Sequence, residues 1–340
     1  MTARAFITGL SGPTLTANER AFAREARPWG LILFKRNIEN KEQVTRLVGD
    51  FLGVIGDRDT PVLVDQEGGR VQRLGPPHWP VYPPGAVFGR IYDRDPEAGL
   101  AAARLGARLI AADLLPLGIN VDCLPLADVP VEGAHSVIGN RAYGHEPGKV
   151  AAIAAAVAEG LRDGGVLPVL KHIPGHGRAN ADSHERLPVV DTDRATLETT
   201  DFAAFRPLNR LPLAMTAHVV FTAIDPVRPA TTSATMIGEV IRGFIGFDGL
   251  LMSDDVSMGA LSGSIGERTR ASLAAGCDVV LHCNGRLDEM QAVAAQAPEL
   301  AGEAGRRAAA AMAQRGRASD IDVTAARQRF AAMMTGQVSA

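Results

Sequence analysis

Eight short apolar runs recur along this chain and limit its possible folds more than any other feature. The runs are Ala5–Leu10, Gly30–Phe34, Pro61–Val64, Ile119–Leu124, Val166–Leu170, Leu213–Thr216, Gly249–Met252 and Asp278–Leu281. Near-continuous apolar strands that alternate with amphipathic helices are typical of a parallel sheet with helices on its faces. Eight such units predict an α/β fold of the (β/α)8 TIM-barrel type, whose usual size is ~250 residues with room for insertions.

Helical periodicity fills most of the intervals between the runs. The predicted helices are Ala17–Arg27, Lys41–Val54, Glu97–Leu115, Pro147–Asp163, Arg194–Asn209, Ser233–Phe244 and Glu267–Ala275. A further helical pattern covers about residues 299–335, and we expect it to pack on the outside of the barrel. No change in composition and no Pro/Gly/Ser linker divides the chain, so we predict a single catalytic barrel domain over residues 1–340.

Composition narrows the class of function. A net charge of −3 without long runs of one sign, and only 5% aromatic residues, argue against a nucleic-acid partner. No stretch approaches the ~20 apolar residues of a membrane span, and the N-terminus lacks the pattern of a signal peptide. Cys123, Cys277 and Cys283 lie in or beside apolar runs, which predicts buried free thiols. We therefore expect a cytoplasmic protein without a membrane partner.

Polar and ionisable residues collect directly after the apolar runs, where the strands would end. In chain order they are Lys35-Arg36-Asn37, Asp65 to Arg70, Asp122 and Asp128, Lys171-His172, His218, Asp254-Asp255, and His282 with Asn284. The active sites of barrel enzymes are built at the C-terminal ends of the strands. A doubly wound sheet would concentrate such residues at one switch point, so this distribution favours a barrel enzyme.

The segment VDQEGGRVQR, residues 64–73, combines acidic residues, a Gly-Gly turn and two arginines. The glycines permit a sharp turn or a close approach to a ligand. Asp65 can accept hydrogen bonds from sugar hydroxyls, whereas Arg70 and Arg73 can hold carboxylate or carbonyl oxygens. An ion-pair network at the barrel mouth would use the same residues, so both interpretations stay open. Arg141, in VIGNRAYG, can likewise grip an anion or an acetyl group, or only pack its loop.

The segment LMSDDVSM, residues 251–258, ends an apolar strand with two aspartates. Adjacent side chains of a strand point in opposite directions, so only one of Asp254 and Asp255 should face the barrel axis. We expect the other to cap the following helix. A rigidly held carboxylate suits a glycosyl nucleophile, although paired aspartates can also bind Mg²⁺.

The loop KHIPGHGRANADSH, residues 171–184, holds three of the eight histidines. Asp182 can hydrogen-bond one ring nitrogen of His184 and leave the other for proton transfer. A polar surface loop would show the same letters. A zinc hydrolase is a further alternative, and its candidate ligands are His172, His176, His184, His218 and Asp254. The absence of a histidine from the first strand argues against that alternative.

Together the segments ILFKRN, VDQEGGRVQR, GNRAYG, KHIPGHG with DSH, AHVV and SDDVSM resemble the bacterial β-N-acetylhexosaminidases of glycoside hydrolase family 3. The resemblance covers about residues 5–290, and the combination of KH-x-PGHG, DSH and SDD is highly specific. It is to the single-domain cytoplasmic enzymes of peptidoglycan recycling, which remove terminal N-acetylglucosamine from 1,6-anhydro-N-acetylmuramic acid. Ile173 stands where the family usually has phenylalanine.

The resemblance implies a role for each matching residue. It implies that Asp254 is the nucleophile of a retaining mechanism and that His184 is the general acid/base, oriented by Asp182. The residues that it implies for substrate binding are Asp65, Arg73, Arg141, Lys171 and His172. It implies a saccharide or muropeptide substrate and no cofactor or metal, and the lack of an accessory domain suggests a monomer. His176 is expected to serve loop structure.

Two alternatives remain within this reading. A histidine acid/base repels phosphate less than a carboxylate would, so phosphate could replace water as the second substrate. A sugar-binding protein with an inactive site is disfavoured because both Asp254 and His184 are present.

Overall fold

The computed structural model describes residues 2–335, so residue 1 and residues 336–340 of the predicted domain lie outside the described residues. Eight parallel strands close into a barrel in chain order. They are β1 (Arg4–Thr8), β2 (Pro28–Leu33), β3 (Val62–Val64), β4 (Val121–Asp122), β5 (Leu167–Ile173), β6 (Leu213–Thr216), β7 (Leu250–Asp255) and β8 (Val279–His282). The last strand pairs with the first, and the prediction of a (β/α)8 barrel is confirmed.

Helices surround the barrel. They are α1 (Ala17–Ala26), α2 (Lys41–Ile55), α3 (Gly85–Arg94), α4 (Pro96–Leu114), α5 (Pro147–Asp163), α6 (Arg194–Thr199), α7 (Ile265–Ala275), α8 (Leu287–Gln296), α9 (Gly302–Ala313) and α10 (Val323–Met334), with a π-helix at Met236–Phe244. Two of them, α3 and α8, were not predicted. No helix within residues 2–335 is both long enough and apolar enough to cross a bilayer.

One predicted helix, Arg194–Asn209, is wrong as a single element. Helix α6 ends at Thr199, and two short 3-10 turns follow at Phe202–Ala204 and Arg206–Leu208. Thr200 leaves the helical conformation, with φ −119° and ψ −88°. The turn directs Asp201 into the protein, where Arg178 pairs with it at 2.9 Å. Pro207 has no N–H to continue a helical ladder, which is a signal that the sequence already contained.

Side chains of the strands alternate between two buried layers. The inward-facing residues fill the barrel interior and are, in order along the strands, Ile7, Ile32, Leu63, Val121, Val169, Met215, Met252 and Leu281. Their neighbours point outward against the helices. Because side chains two apart share a face, each inward residue predicts where the residue two positions later must point.

The last two helices contact the barrel at different places. Phe330 of α10 packs near Tyr82 and Phe88, with ring centroids 6.4 Å away in both cases. Ala308 and Ala311 of α9 belong to the same buried cluster as the barrel interior. All three cysteines are buried and free, as the sequence predicts.

Candidate active site

A cavity of about 690 Å³ opens at the C-terminal ends of the strands. The predicted site residues that line it are Asp65, Arg73, Arg141, Lys171, His172, His184 and Asp254. Asp182 lies behind His184 and contacts its ring. The fold therefore brings residues from distant parts of the chain to a single cavity.

Strand alternation explains how three of these side chains reach the cavity. Leu63, Val169 and Met252 face the barrel interior. Two residues after each of them come Asp65, Lys171 and Asp254, which all line the cavity. The inward layer thus continues from the apolar core into the charged residues of the site.

A charged network joins the ends of β3 and β5 to the loop that carries Arg141. Lys171 Nζ lies 2.8 Å from Asp65 Oδ1 and 2.6 Å from Glu67 Oε1. Arg73 Nη2 lies 2.9 Å from Asp65 Oδ2. Arg141 donates to both oxygens of Glu67, through Nη2 at 2.8 Å and Nε at 2.9 Å. Three cations and two carboxylates leave one positive charge in excess.

The network keeps its two carboxylates and Lys171 ionised. Burial by itself raises the pKa of Asp65, but the adjacent Lys171 and Arg73 cations outweigh burial and hold that pKa below its usual range. Burial acts on Glu67 in the same direction, and Lys171 and Arg141 lower its pKa. Conversely, burial lowers the pKa of Lys171, but the carboxylates raise it overall. The cavity therefore presents fixed charges that have little freedom to reorient.

We expect Lys171→Met to destabilise the fold strongly. The Lys171 side chain is 2% exposed, and its removal leaves two nearly buried carboxylates with one arginine each. Breaking a buried pair from one side typically costs ~3 kcal/mol or more. Chemical unfolding would measure the loss. The matched control is Lys149→Met, because its partner Asp93 is 60% exposed and such pairs contribute at most ~1 kcal/mol. Equal losses in the two variants would contradict the description of the network as desolvated.

The two aspartates at the end of β7 have different surroundings. Both border the cavity, but within residues 2–335 only Asp255 is held by backbone N–H groups beyond the neighbouring residue. The side chain of Asp255 accepts from the backbone N–H of Cys283 at 3.1 Å and of Ser257 at 2.9 Å. The expectation that Asp255 caps the next helix is wrong, because a loop intervenes and Ser264 caps α7. Asp255 instead ties the end of β7 to the end of β8, where the register of the two strands shifts. Such bulges are frequent beside active sites.

A hydrogen-bonded chain fixes the backbone on both sides of Asp254. The Asp254 N–H donates to Thr216 Oγ1 at 3.2 Å, and Thr216 Oγ1 lies 2.8 Å from Thr231 Oγ1. Thr231 Oγ1 is 2.7 Å from His218 Nδ1, and His218 Nε2 is 3.0 Å from the Asp255 carbonyl oxygen. Since a carbonyl only accepts, His218 Nε2 carries the proton and Nδ1 accepts from Thr231.

Asp254 is held as a carboxylate. Burial works to raise its pKa, but the imidazoles of His218 and His172 and the backbone N–H of Asp255 lower it overall. The Asp255 N–H donates to Asp254 Oδ1 at 2.8 Å. An ionised, oriented carboxylate is the form that can attack an electrophilic carbon.

The loop after β5 presents His184 at the mouth of the cavity. His184 Nδ1 lies 2.8 Å from Asp182 Oδ1, and the same oxygen accepts the backbone N–H of His184 at 2.9 Å. The hydrogen bond that the sequence spacing suggests is thus present. Because Asp182 only accepts, Nδ1 carries a proton and Nε2 is left for proton exchange. The His184 side chain is 70% exposed, so a ligand can reach it.

Asp128, after β4, organises the start of this loop. Its Oδ2 accepts from His172 Nδ1 at 2.7 Å, and its Oδ1 accepts the backbone N–H of His176 at 2.7 Å. Burial raises the pKa of Asp128, but the two imidazoles more than offset burial and lower it to about 2. The bond to Asp128 fixes the tautomer of His172, whose Nε2 then remains for the cavity that it lines.

Stability should fall on acidification between pH ~6.5 and about 4. Burial, then the neighbouring His172, lowers the pKa of His176 from 6.5 to about 4. In that range the unfolded chain binds a proton that the folded chain does not, so the free energy of unfolding decreases as pH falls. His176→Phe should reduce this slope by ~1.4 kcal/mol per pH unit in unfolding titrations. His78→Phe, which removes an exposed histidine, serves as the control. An unchanged slope in His176→Phe would show that His176 is protonated in the folded protein.

The sequence reasoning named four residues at or near strand ends without giving them a role in sugar binding or catalysis, although one of them, His218, was a candidate ligand in the zinc alternative. They are Phe34, Glu67, Asp128 and His218, and the structure puts each in or directly behind the cavity wall. The Phe34 ring lies under the guanidinium groups of Arg36 and Arg73, at 5.0 Å and 5.2 Å. Their position after apolar runs was the available signal. Their partners are distant in sequence, so their roles were not visible.

The zinc alternative predicted that His172, His176, His184, His218 and Asp254 share a metal ion. Within residues 2–335, no group of three His, Cys, Asp or Glu side chains is arranged to hold one. The imidazoles are divided among separate partners instead, namely Asp128, Asp182 and Thr231.

Comparison with known proteins bears on the family. Residues 16–315 match the family model described as the glycosyl hydrolase family 3 N terminal domain. The chain belongs to glycoside hydrolase family 3. It is similar to a beta-hexosaminidase of Alkalilimnicola ehrlichii, 41% identical over 280 residues that cover 81% of this chain and 79% of the relative. A beta-hexosaminidase of Bordetella avium is 38% identical over 281 residues, with the same coverage of both chains.

Solved structures agree with this assignment. NagZ from Neisseria gonorrhoeae, in complex with N-trifluoroacetyl-D-glucosamine, is 32% identical with a TM-score of 0.87. That similarity covers 100% of this chain and 99% of the other. A family 3 beta-N-acetylglucosaminidase from Paenibacillus is 29% identical with a TM-score of 0.79, over 99% of this chain and 62% of the other. The resemblance noted in the sequence is confirmed at the level of the family.

Proposed function

We propose that this chain is a retaining β-N-acetylhexosaminidase that removes terminal β-linked N-acetylglucosamine from 1,6-anhydromuropeptides. The observation that carries the proposal is that Asp254 and His184 line one cavity, with Asp182 hydrogen-bonded behind His184. Beta-hexosaminidase relatives and a family 3 structure that holds an N-acylated glucosamine support the choice of sugar. The anhydromuropeptide aglycone rests on the resemblance to the recycling enzymes.

In the proposed first step, Asp254 attacks the anomeric carbon while His184 protonates the departing glycosidic oxygen. The proton comes from His184 Nε2, and Asp182 stabilises the imidazole through Nδ1. The carbon–oxygen bond to the aglycone breaks as the bond to Asp254 forms. Asp254 has a lowered pKa and is ready to act as the nucleophile. The product is a covalent glycosyl-aspartate.

In the second step, His184 Nε2 takes a proton from water, and the resulting hydroxide attacks the same carbon. The bond to Asp254 breaks and its carboxylate is restored. Two displacements at one carbon retain the anomeric configuration. Most retaining enzymes use two carboxylic groups, but an imidazole already titrates near neutral pH and needs no burial to do so. The His184 side chain is 70% exposed, so substrate and water can reach it.

The charged network is proposed to bind the sugar. Asp65, Lys171 and His172 line the cavity and offer an acceptor and donors to ring hydroxyls. Arg73 and Arg141 are already paired with Asp65 and Glu67, so they mainly orient those carboxylates and add positive charge. The excess positive charge of the network suits a substrate whose muramic portion carries a lactyl carboxylate.

The experiment that tests the activity compares nitrophenyl N-acetyl-β-glucosaminide with nitrophenyl β-glucoside, both in EDTA. Fast, EDTA-resistant release of nitrophenol from the N-acetyl substrate alone is expected. No release, or release restored only by added metal, would overturn the mechanism. Added phosphate should not change the product: formation of a sugar 1-phosphate would indicate phosphorolysis instead of hydrolysis.

The natural substrate, compartment and assembly need their own tests. Mass spectrometry of purified anhydromuropeptides after incubation should show the loss of one N-acetylglucosamine. Slower cleavage of these than of chitobiose would argue for a broader hexosaminidase. The proposed cytoplasmic location follows from the resemblance and from the buried free thiols. Light scattering should give the mass of a monomer.

A further inference from the structure

The position of His184 requires an explanation beyond Asp182. His184 is 70% exposed, and its hydrogen bonds to Asp182 are local, two residues apart in the chain. A proton donor must be held close to its target, because a displacement of ~1 Å can cost about 100-fold in rate. Contacts from outside the segment 182–184 must therefore define where the imidazole lies.

The backbone of this segment is held from one side by the loop after β7. The Ala260 N–H donates to the Ser183 carbonyl at 3.1 Å, and the Gly259 N–H donates to the His184 carbonyl at 3.2 Å. A Cβ at position 259 would lie 2.8 Å from the His184 carbonyl oxygen, so the close approach requires glycine. The loop that follows the nucleophile strand therefore supports the loop that carries His184.

A side-chain contact holds the same segment from the barrel side. His176 Nε2 lies 3.0 Å from Ser183 Oγ, and both residues are buried, with 3% exposure each. The His176 backbone N–H is bound by Asp128 Oδ1, the carboxylate that also orients His172. The His172 and His176 rings meet edge to face, with centroids 5.7 Å apart. Within residues 2–335 the other ring nitrogen of His176, Nδ1, has no hydrogen-bond partner, and the His176 side chain borders the cavity.

We propose that His176 is a positioning residue that couples the proposed sugar-binding His172, through their shared partner Asp128, to the acid/base His184 through the hydroxyl of Ser183. This inference rests on the proposed function, since it concerns the placement of the proposed proton donor. The path is continuous: Asp128 holds the start of the loop, the His176 ring reaches across the loop, and Ser183 precedes His184 directly. The proposal gives a specific form to the expectation that His176 serves loop structure.

The test exploits the fact that only poor leaving groups need the acid. kcat/KM reports the first chemical step, which for a dinitrophenyl glycoside proceeds without protonation. Ser183→Ala removes only the hydroxyl, and His176→Phe keeps a ring of similar size without nitrogen atoms. Each should lower kcat/KM for phenyl N-acetyl-β-glucosaminide by about 10- to 100-fold and that for the dinitrophenyl substrate by less than ~3-fold. For the phenyl substrate, kcat/KM of the double variant should fall no further than kcat/KM of either single variant.

Matched variants separate the possible results. Ser272→Ala removes a buried hydroxyl that donates to the Arg268 carbonyl oxygen within α7. It should leave kcat/KM unchanged for both substrates. The coupling would be overturned if Ser183→Ala and His176→Phe lowered kcat/KM equally for both substrates, or lowered it for neither. If His176→Phe does not fold, Ser183→Ala alone decides. His184→Ala is measured alongside: if it fails to discriminate between the substrates, the proposed function fails first and the coupling with it. If His184→Ala discriminates between the two substrates but Ser183→Ala and His176→Phe do not, the coupling alone is wrong.

Discussion

Asp254→Asn is expected to lower kcat by at least ~10⁴-fold while leaving the barrel folded. An amide cannot form the glycosyl ester, because its oxygen carries no charge and its nitrogen is not nucleophilic. The amide still offers Oδ1 to the backbone N–H of Asp255, so the strand end should keep its geometry. Steady-state hydrolysis of the nitrophenyl N-acetyl-β-glucosaminide measures the loss. Circular dichroism and the Tm verify the fold.

The neighbouring carboxylate supplies the control for this variant. Asp255→Asn keeps an acceptor for Cys283 and Ser257 and lies outside the proposed covalent chemistry. We expect a loss of stability and at most ~100-fold in rate, through misplacement of the strand end. In the wild type, a slow fluorinated N-acetylglucosaminyl substrate should add its sugar mass to the peptide that contains Asp254. An inactive Asp255→Asn beside an active Asp254→Asn would reverse the assignment.

His184→Ala is expected to show a loss that depends on the leaving group. For a phenyl glycoside, kcat/KM should fall by about 10²–10⁴-fold, which is the usual contribution of general acid catalysis. A dinitrophenolate leaving group needs no proton, so kcat/KM for the dinitrophenyl glycoside should change little. The kcat for this substrate should still fall, because no base is then present to activate the water that hydrolyses the glycosyl-enzyme. Azide, which needs no deprotonation, should restore kcat and yield the β-glycosyl azide.

Asp182→Asn tests the carboxylate that is hydrogen-bonded to the His184 ring. Its Oδ1 can still accept from the His184 N–H, but an amide supports the imidazolium less well than a carboxylate does. We expect an intermediate loss with the same dependence on the leaving group. If His184→Ala reduced kcat/KM equally for both substrates, the proton donor would have to be sought elsewhere in the cavity.

The sequence was sufficient for the fold because apolar burial is a local, periodic signal. Each predicted run became a barrel strand, and Met252 and Asp254 show how the alternation carries into the site. The predicted helix Arg194–Asn209 was too long, because its apolar periodicity was given more weight than the helix-breaking effect of Pro207. The pattern KH-x-PGHG with DSH in residues 171–184 and SDD in residues 251–258 was specific enough to indicate the family before the cavity was seen.

The ion pairs and hydrogen bonds of the site were not visible in the sequence. Asp65 and Arg141 were both predicted to bind substrate, but their partners Lys171 and Glu67 come from other segments of the chain. Asp128 and His176 looked like an ordinary strand-end residue and a loop residue. The structure shows that they are linked to each other and, through Ser183, to the segment that carries His184.

The sequence by itself determined the barrel, the family and the chemical groups available at each strand end, because these depend on hydrophobic period and residue type. Only the tertiary structure decided which group pairs with which. Ion pairs and hydrogen bonds act over ~3 Å, so they depend on side chains that chain closure brings together from more than a hundred positions apart, as for Lys171 and Asp65. The protonation states of the site follow from those pairings and not from the residue types alone.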